Sequence, residues 1–237
     1  MCTRSMRGDS ARCCRAVKTI MKNSTFTIRL ADTHNQRNEV GALLDKMYTR
    51  RGYESTGIAT THPHRVTLVA SADDITLATI TIGFDSRAGL LADELYNEEI
   101  DGLRRRGKRL CEFIKLALDS GTKSKQVLAA IFHISHIYAR QIAQHTDLLI
   151  EVNPRHVTFY RRMLGFEQLG GERLNTRVNA PAVLLWADLN YVDRMIRDFG
   201  GCPELAANEK SLYPYAFSQA DQENIAEQLR RLYVELP

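Results

Sequence analysis

Residues 125–142 place Val127, Leu128, Ile131, Ile134, Tyr138 and Ile142 on one face of a helix. An apolar stripe of that length has to be covered, so the helix must lie on a sheet. Leu148, Ile150 and Val152 then alternate as a strand. Asn153-Pro154 ends that strand, because the residue before a proline is driven towards extended backbone. Residues 155–164 resume helical spacing and stop at Gly165, ahead of a short β run over 166–169. Helix and strand alternate here, which excludes an all-helical bundle and points to a layered α/β protein.

The flanking segments extend the pattern. Thr25 to Leu30 reads as a strand, and His34 to Tyr53 as a helix carried by Val40, Leu43, Leu44 and Met47. Val66–Ala70 and Ile75–Phe84 are β-rich runs split by Ala72-Asp73-Asp74, the signature of an antiparallel hairpin. A polar helix over roughly Glu94 to Arg106 stops at Gly107, a β run follows at 110–118, and Val183 to Leu189 is the last clear strand. Residues 190–199 read as a helix, 200–214 as a Gly/Pro connector, and 218–233 as a helix opened by Ser218 with Asp221 in capping-box spacing. The expected fold class is α/β (α+β), a mixed sheet flanked by helices over residues 23–190. A disordered basic extension is expected over 1–22 and a C-terminal helical extension over 191–237.

Composition removes other classes. With 44% apolar and 25% charged residues a core can form, and no apolar run is long enough to span a membrane. Thirty-two basic against 28 acidic residues leave a charge of +4, compatible with a nucleic acid, an acidic protein or a phosphorylated ligand. The basic patches lack interleaved aromatics, so no nucleic-acid partner is expected. Residues 1–22 hold six Arg or Lys and one acid without a continuous apolar segment, unlike a secretory signal; an organellar address and a basic arm stay open beside the disordered reading. The five cysteines, at 2, 13, 14, 111 and 202, lack C-x-x-C spacing, which points to a reducing, cytoplasmic setting. His133 and His136 stand three apart on a helix without an H-E-x-x-H motif, and no metal is expected.

The order of elements resembles the GNAT acyltransferase superfamily. VNPRHVTFYRRMLGF at 152–166 resembles its strand-to-helix motif through Asn153, Tyr160, Gly165 and Phe166, with one extra residue before the glycine. Four blocks, RRGYES (50–55), GFDSRAGLLADELYNEEIDGLRRRGKRLCEF (83–113), residues 152–166 and RLNTRVNAPAVLL (173–185), resemble the FeeM-type N-acyl amino acid synthases across about residues 50–190. That GNAT branch is related to bacterial acyl-homoserine-lactone synthases. The resemblance implies a GNAT-like splayed sheet and an N-acyl amino acid synthase that takes a fatty acyl group from acyl carrier protein and delivers it to the α-amino group of an amino acid. No bound cofactor is implied, only the acyl-phosphopantetheine of the carrier protein, or acyl-CoA, as cosubstrate. Membrane contact would be peripheral, through the lipid product. CoA-using GNATs carry a Q/R-x-x-G-x-G/A pyrophosphate loop where this chain reads GTKSKQ (121–126) with one glycine. A carrier-protein arm has a single phosphodiester, for which Lys123 and Lys125 are donor-side ligands or else solvated loop lysines.

Thioester aminolysis needs a neutral amine, a place for the oxyanion and a proton for the thiolate. Glu112 shares a face with Ile114, Leu116 and Leu118 by period two, a setting that raises a carboxyl's pKa. It is the first choice of base and resembles the glutamate opening the corresponding strand in the homoserine-lactone synthases; an ion pair with an arginine of 104–109 is the plainer reading. Tyr160 is read as the thiolate's proton donor or as core, His156 as an alternative base, and Asn153 as a pantetheine ligand or a helix cap. The oxyanion donor would be a backbone N–H of the strand at 110–118.

Arg173, Asn175, Arg177 and Asn179 alternate strictly, so an extended segment would project them from one face. They suit an amino acid's carboxylate, or form a solvated edge. Asp85 and Ser86 either bind the amine or form a turn. Arg104, Arg105, Arg106, Lys108 and Arg109, with Arg161 and Arg162, give the strongest local positive charge, fit for docking an acidic carrier protein. Two rivals stay open: a CoA-dependent GNAT N-acetyltransferase, and a non-catalytic basic binding module.

Overall fold

The computed structural model describes residues 17–21, 24–31, 34–50, 52, 63–72, 75–119, 121 and 124–234. Its strands are β1 (Val17–Met21), β2 (Ser24–Leu30), β3 (Arg65–Ala72), β4 (Ile75–Phe84), β5 (Leu110–Leu118), β6 (Asp147–Val152), β7 (Glu167–Gln168), β8 (Arg173–Asn175) and β9 (Ala180–Asp188). Between and after them lie α1 (His34–Thr49), α2 (Asp93–Arg105), α3 (Lys125–Ile137), α4 (Val157–Leu164), α5 (Leu189–Phe199) and α6 (Gln219–Val234). The sheet runs β1-β2-β3-β4-β5-β6-β9-β7, with β8 added on β9. The expected mixed sheet flanked by helices is what the chain forms.

Among the described residues one neighbour pair is parallel, and it is short. β5 pairs with β6 only through Leu110, Cys111 and Glu112 against Asp147, Leu148 and Leu149. Past Glu112 the two strands run on without pairing each other, so the sheet opens along a seam. On its other edge β5 stays paired with β4, but Thr79 faces Ala117 while Thr81 faces Ile114. The extra residue is a β-bulge, and Lys115 sits at φ +52° within it. The bulge corrects the expected alternation: Glu112 shares its face with Ile114 and, across the bulge, Ala117, whereas Leu116 and Leu118 turn to the other side.

The two faces carry separate cores. Tyr96, Ile100 and Leu103 of α2 cover Leu110, Leu149 and Leu184; on the same side Val40, Leu43, Leu44 and Met47 of α1 cover Val69 and Ala117. The opposite face holds Ile80, Ile82, Cys111, Phe113, Leu148 and Ile150 under Val127, Ile131 and Ile134 of α3 and Leu164 of α4. The stripe expected over 125–142 covers the sheet, but as an α-helix to Ile137 followed by a π-helical turn over Tyr138–Ile142. Ser124 caps α3 by accepting the Val127 N–H at 3.4 Å.

Other boundaries move. Val17–Met21, inside the stretch expected to be disordered, is a strand antiparallel to β2, with Val17 opposite Ile28. α1 ends at Thr49, and most of the RRGYES block lies outside the described residues. The C-terminal extension is not a separate body. Ile225, Ala226 and Leu229 of α6 and Phe217 join the main core, and the Phe217 N–H donates to His133 Nδ1 at 3.0 Å. The expected N-cap is formed: Ser218 Oγ accepts the Asp221 N–H at 3.3 Å, while its own hydroxyl donates to Asp221 Oδ2 at 2.7 Å. Gly165 ends α4 at φ +75°, where a Cβ would also collide with the Tyr191 ring.

Candidate active site

The open part of the β5–β6 seam is a cavity of about 240 Å³. Its walls come from Glu112 through Leu116 on β5, from Ile150 through Asn153 at the end of β6, and from the β8–β9 hairpin. His156, Tyr160, Phe132, Asn175 and Arg177 also line it, with Leu91 and Ala92 at the start of α2. Both strands lead at this open end into helices: β5 into α3, and β6 through a 3₁₀ turn over Pro154–His156 into α4. Two helix N-termini therefore flank the mouth, a setting that favours an anionic group.

Glu112 lies at the last paired rung, 2% exposed. Its Oε1 accepts the Leu91 N–H at 2.9 Å and its Oε2 the Ala92 N–H at 3.2 Å, the backbone that opens α2. Burial pushes its carboxyl above the ordinary carboxylate range, against the pull of those two N–H groups. Gly83 opposite leaves the room: a Cβ there would stand 2.8 Å from Glu112 Cγ and Oε1. No arginine of 104–109 pairs with Glu112; Arg104 is taken by Asp85, Asp93 and Asp101 at 2.7–2.9 Å.

On the opposite face, Tyr160 stands edge-on to Phe132 and Phe166, with centroids 6.3 and 5.8 Å away, and lines the cavity. His156 also lines it, and its Nε2 accepts from Arg155 Nε at 3.2 Å. Asn153 serves as a cap and a bridge: its Oδ1 accepts the Arg155 N–H and its Nδ2 donates to the Pro181 carbonyl, each at 3.3 Å. Lys125 sits 5.8 Å from the Tyr215 ring centroid at the start of α3; Lys123 lies outside the described residues.

The segment 173–179 departs from the expected single extended face. β8 stops at Asn175 and a turn carries the chain to Asn179, at φ +47°. Asn175 and Arg177 line the cavity. Arg173 does not; it pairs with Glu99 at 2.6 Å and lies 4.6 Å over the Tyr96 ring, fastening the hairpin to α2. The Tyr96 hydroxyl reinforces that anchor by donating to the Ala182 carbonyl at 2.7 Å. Asp85 and Ser86 also stand off the cavity wall. Arg104 grips Asp85 with two hydrogen bonds, and Ser86 Oγ accepts the Ala88 N–H at 3.2 Å, so both serve the turn before α2.

The basic run is not one patch. Arg104 is neutralised, Lys108 lies 3.3 Å from Asp147, and Arg109 donates to the Ala143 carbonyl, while Arg105 and Arg106 are exposed. Arg161 and Arg162 are exposed on α4, across the sheet from α2. Arg105 and Arg106 precede β5 and α3 follows it, so the nine residues of β5, about 30 Å of strand, separate them along the chain.

Sequence reading missed Glu151, Lys115 and Glu94. Glu151 is half-buried at the cavity wall, and desolvation pushes its carboxyl up, against the pull of Arg177 and Asn175. It interrupts the apolar run of β6, and that interruption was the available signal. Lys115 is pulled down by burial and by Arg65, and only the bulge brings it to the wall. His133 and His136 take no part. His133 Nε2 pairs with Gln222 at 2.9 Å and His136 Nε2 with Asp193 at 2.7 Å; among the described residues no group of three His, Cys, Asp or Glu could hold a metal.

The family signature described as N-acyl amino acid synthase FeeM matches residues 39–188. The chain belongs to the FeeM family. The solved structure of FeeM, an N-acyl amino acid synthase from uncultured soil microbes, is 27% identical, superposes with a TM-score of 0.62, and covers 70% of this chain and 92% of its own. The acyl-homoserine-lactone synthase LasI shares the fold at 13% identity and a TM-score of 0.52, covering 70% of this chain and 90% of its own. ElaA of Escherichia coli shares it at 8% identity and 0.51, covering 69% and 98%. No curated protein sequence matches. Family and fold make the chain an N-acyltransferase of GNAT architecture, which removes the non-catalytic binding module. No helix among the described residues is long and apolar enough to cross a membrane.

Proposed function

We propose that the protein transfers a fatty acyl group from the phosphopantetheine thioester of acyl carrier protein to the α-amino group of an amino acid. The carrying observation is the seam at Glu112, where a cavity joins a face bearing carboxylates to a face bearing aromatic and aliphatic side chains. A fatty thioester and an amino acid cannot share one medium, and this seam lets each keep its own while their reacting atoms meet.

The reaction is direct. The neutral amine attacks the thioester carbon; the C–N bond forms and the carbonyl becomes an oxyanion. Backbone N–H groups of β5 beyond Glu112, freed from β6 and reoriented at the Lys115 bulge, are the donors to that oxyanion. Glu112 takes the proton lost by the amine, a task its raised pKa suits. The C–S bond then breaks and Tyr160 protonates the thiolate, leaving an amide and the free thiol of the carrier. His156 is the reserve base.

The donor arm enters at the open end. Lys125 and the N-terminus of α3 take its phosphodiester, and Asn153 holds the arm where its side chain bridges β6 to β9. Arg161 and Arg162, on the helix that leaves this mouth, are the better-placed part of the docking surface. Incubation with acyl-carrier thioester and mixed amino acids, read by mass spectrometry, should give an amino acid heavier by one acyl group. Product from acyl-CoA but none from the carrier thioester would reject the donor.

A further inference from the structure

Arg177 is held from two sides. Its Nη2 donates to both oxygens of Glu151, at 2.9 and 3.1 Å, while its Nη1 donates to the Leu91 carbonyl at 3.0 Å and to Glu94. The two carboxylates differ in setting. The Glu151 side chain is 10% exposed and lines the cavity, whereas that of Glu94 is 50% exposed and stands outside the lining. An exposed ion pair is worth little, whereas parting a pair whose carboxylate is largely covered leaves that charge poorly solvated. Arg177 therefore holds Glu151 firmly and Glu94 exchangeably.

What replaces Glu94 on a guanidinium is another carboxylate, which takes over the Nη1 N–H that Glu94 held in a charge-assisted hydrogen bond. Glu151 supplies the complementary half. Among the described residues its Oε2 accepts one hydrogen bond, from Arg177, and a carboxylate oxygen has capacity for a second. The Leu91 backbone ties this pair to the reaction centre, because its carbonyl is on Arg177 and its N–H is on Glu112. A ligand with a carboxylate and an ammonium one carbon apart meets both requirements.

We propose that Glu151 and Arg177 clamp the acceptor as an α-amino acid: Glu151 takes an N–H of the incoming ammonium, and the substrate's carboxylate displaces Glu94 from Arg177. Glu94 is thus an internal stand-in that a zwitterion outcompetes and a simple amine leaves in place. The inference rests on the acyl-transfer reading and adds to it the two residues that recognise the acceptor.

The test compares the best amino-acid acceptor from a panel with the amine that lacks its carboxylate, read as KM for each with saturating acyl donor. Glu94→Gln should lower KM for the amino acid about two- to fivefold relative to the amine, the scale of an exposed ion pair. Glu151→Gln should raise KM for both acceptors about tenfold or more, as losing a hydrogen bond to a charged group does. An unchanged or higher amino-acid to amine ratio in Glu94→Gln, a surface change that does not threaten folding, overturns the proposal. So does a soluble Glu151→Gln with native KM values. Wild-type protein that acylates neither acceptor overturns the acyl-transfer reading and the clamp with it, whereas activity with an unmoved ratio overturns the clamp alone.

Discussion

The two faces of the sheet meet at the β5–β6 seam and differ in kind. Towards α2 the wall presents Glu112, Glu151, Asn175 and Arg177; towards α3 it presents Phe113, Phe132, Ile150 and Tyr160. The strand itself is the partition. Period two sends Glu112 and its neighbour Phe113 into opposite media, one polar and hydrogen-bonded, the other apolar. In a closed sheet these media would never touch. Stopping the β5–β6 ladder after Glu112 opens a passage between them at the residue proposed as the base.

The largest break in that comparison is on the polar side. Glu112→Gln keeps the shape and an acceptor for the α2 backbone but removes the proposed base, so the rate of acyl transfer should fall about 10²- to 10⁴-fold while the protein stays folded. A variant within about threefold of wild type would hand the base to another group, and His156→Gln would then carry the loss. The wild-type rate should decline on acidification through the raised Glu112 pKa. Stability responds with the opposite sense: above 4.5 the unfolded carboxyl is ionised while the folded one still holds its proton, so stability falls as pH rises through that window. Chemical denaturation of wild type and Glu112→Gln across pH reads this as a gap that widens upward.

An equivalent break on the apolar side is structural. Phe132 lies between Phe113 and Tyr160, with ring centroids 6.3 Å from each. Phe132→Ala should cost about 3–5 kcal/mol of stability in a denaturation experiment, the usual toll for deleting a buried aromatic ring. A loss below about 1 kcal/mol would mean that this face is loosely packed already.

The sequence made the apolar face legible and the seam illegible. The stripe from Val127 to Ile142, the alternation at Leu148, Ile150 and Val152, and the Ser218 cap follow from local periodicity and capping chemistry, which a sequence carries in full. Glu112 was legible as a buried carboxyl because apolar residues alternate with it. The bulge at Lys115 was not, since no glycine or proline marks it and only pairing with β4 reveals the extra residue. Arg173 and Arg177 looked equivalent on an alternating strand; the turn after Asn175 separates them, sending one to Glu99 and the other to Glu151. Asp85 and the 104–109 arginines misled for a similar reason. A run of charge in one dimension does not reveal that Arg104 folds back onto three aspartates.

Titration distinguishes the faces again, at a smaller scale. Burial pushes the Glu112 carboxyl up on one side, while on the other it pulls the His133 imidazole down to about 3. The unfolded imidazole binds a proton below 6.5, and the folded one does not until about 3, so acidification between those values favours unfolding. By pH 5 the loss should be on the order of 2 kcal/mol. In His133→Gln the slope over this window should flatten; an unaltered slope would assign the acid sensitivity elsewhere.

The smallest expected effect tests which end of the seam receives the donor. The proposed carrier protein presses on the mouth between the N-termini of α3 and α4, so replacing Arg161 and Arg162 by serine should raise KM for the carrier thioester about three- to tenfold, an effect that fades as salt screens it. The same change at Arg105 and Arg106 should move KM less than about twofold. Those two arginines stand beside the end of the seam that is closed by pairing of Leu110–Glu112 with Asp147–Leu149. Were Arg105 and Arg106 the sensitive pair, the pantetheine arm would have to pass through that paired ladder to reach Glu112, and the sheet would have to part where its hydrogen bonds hold it shut.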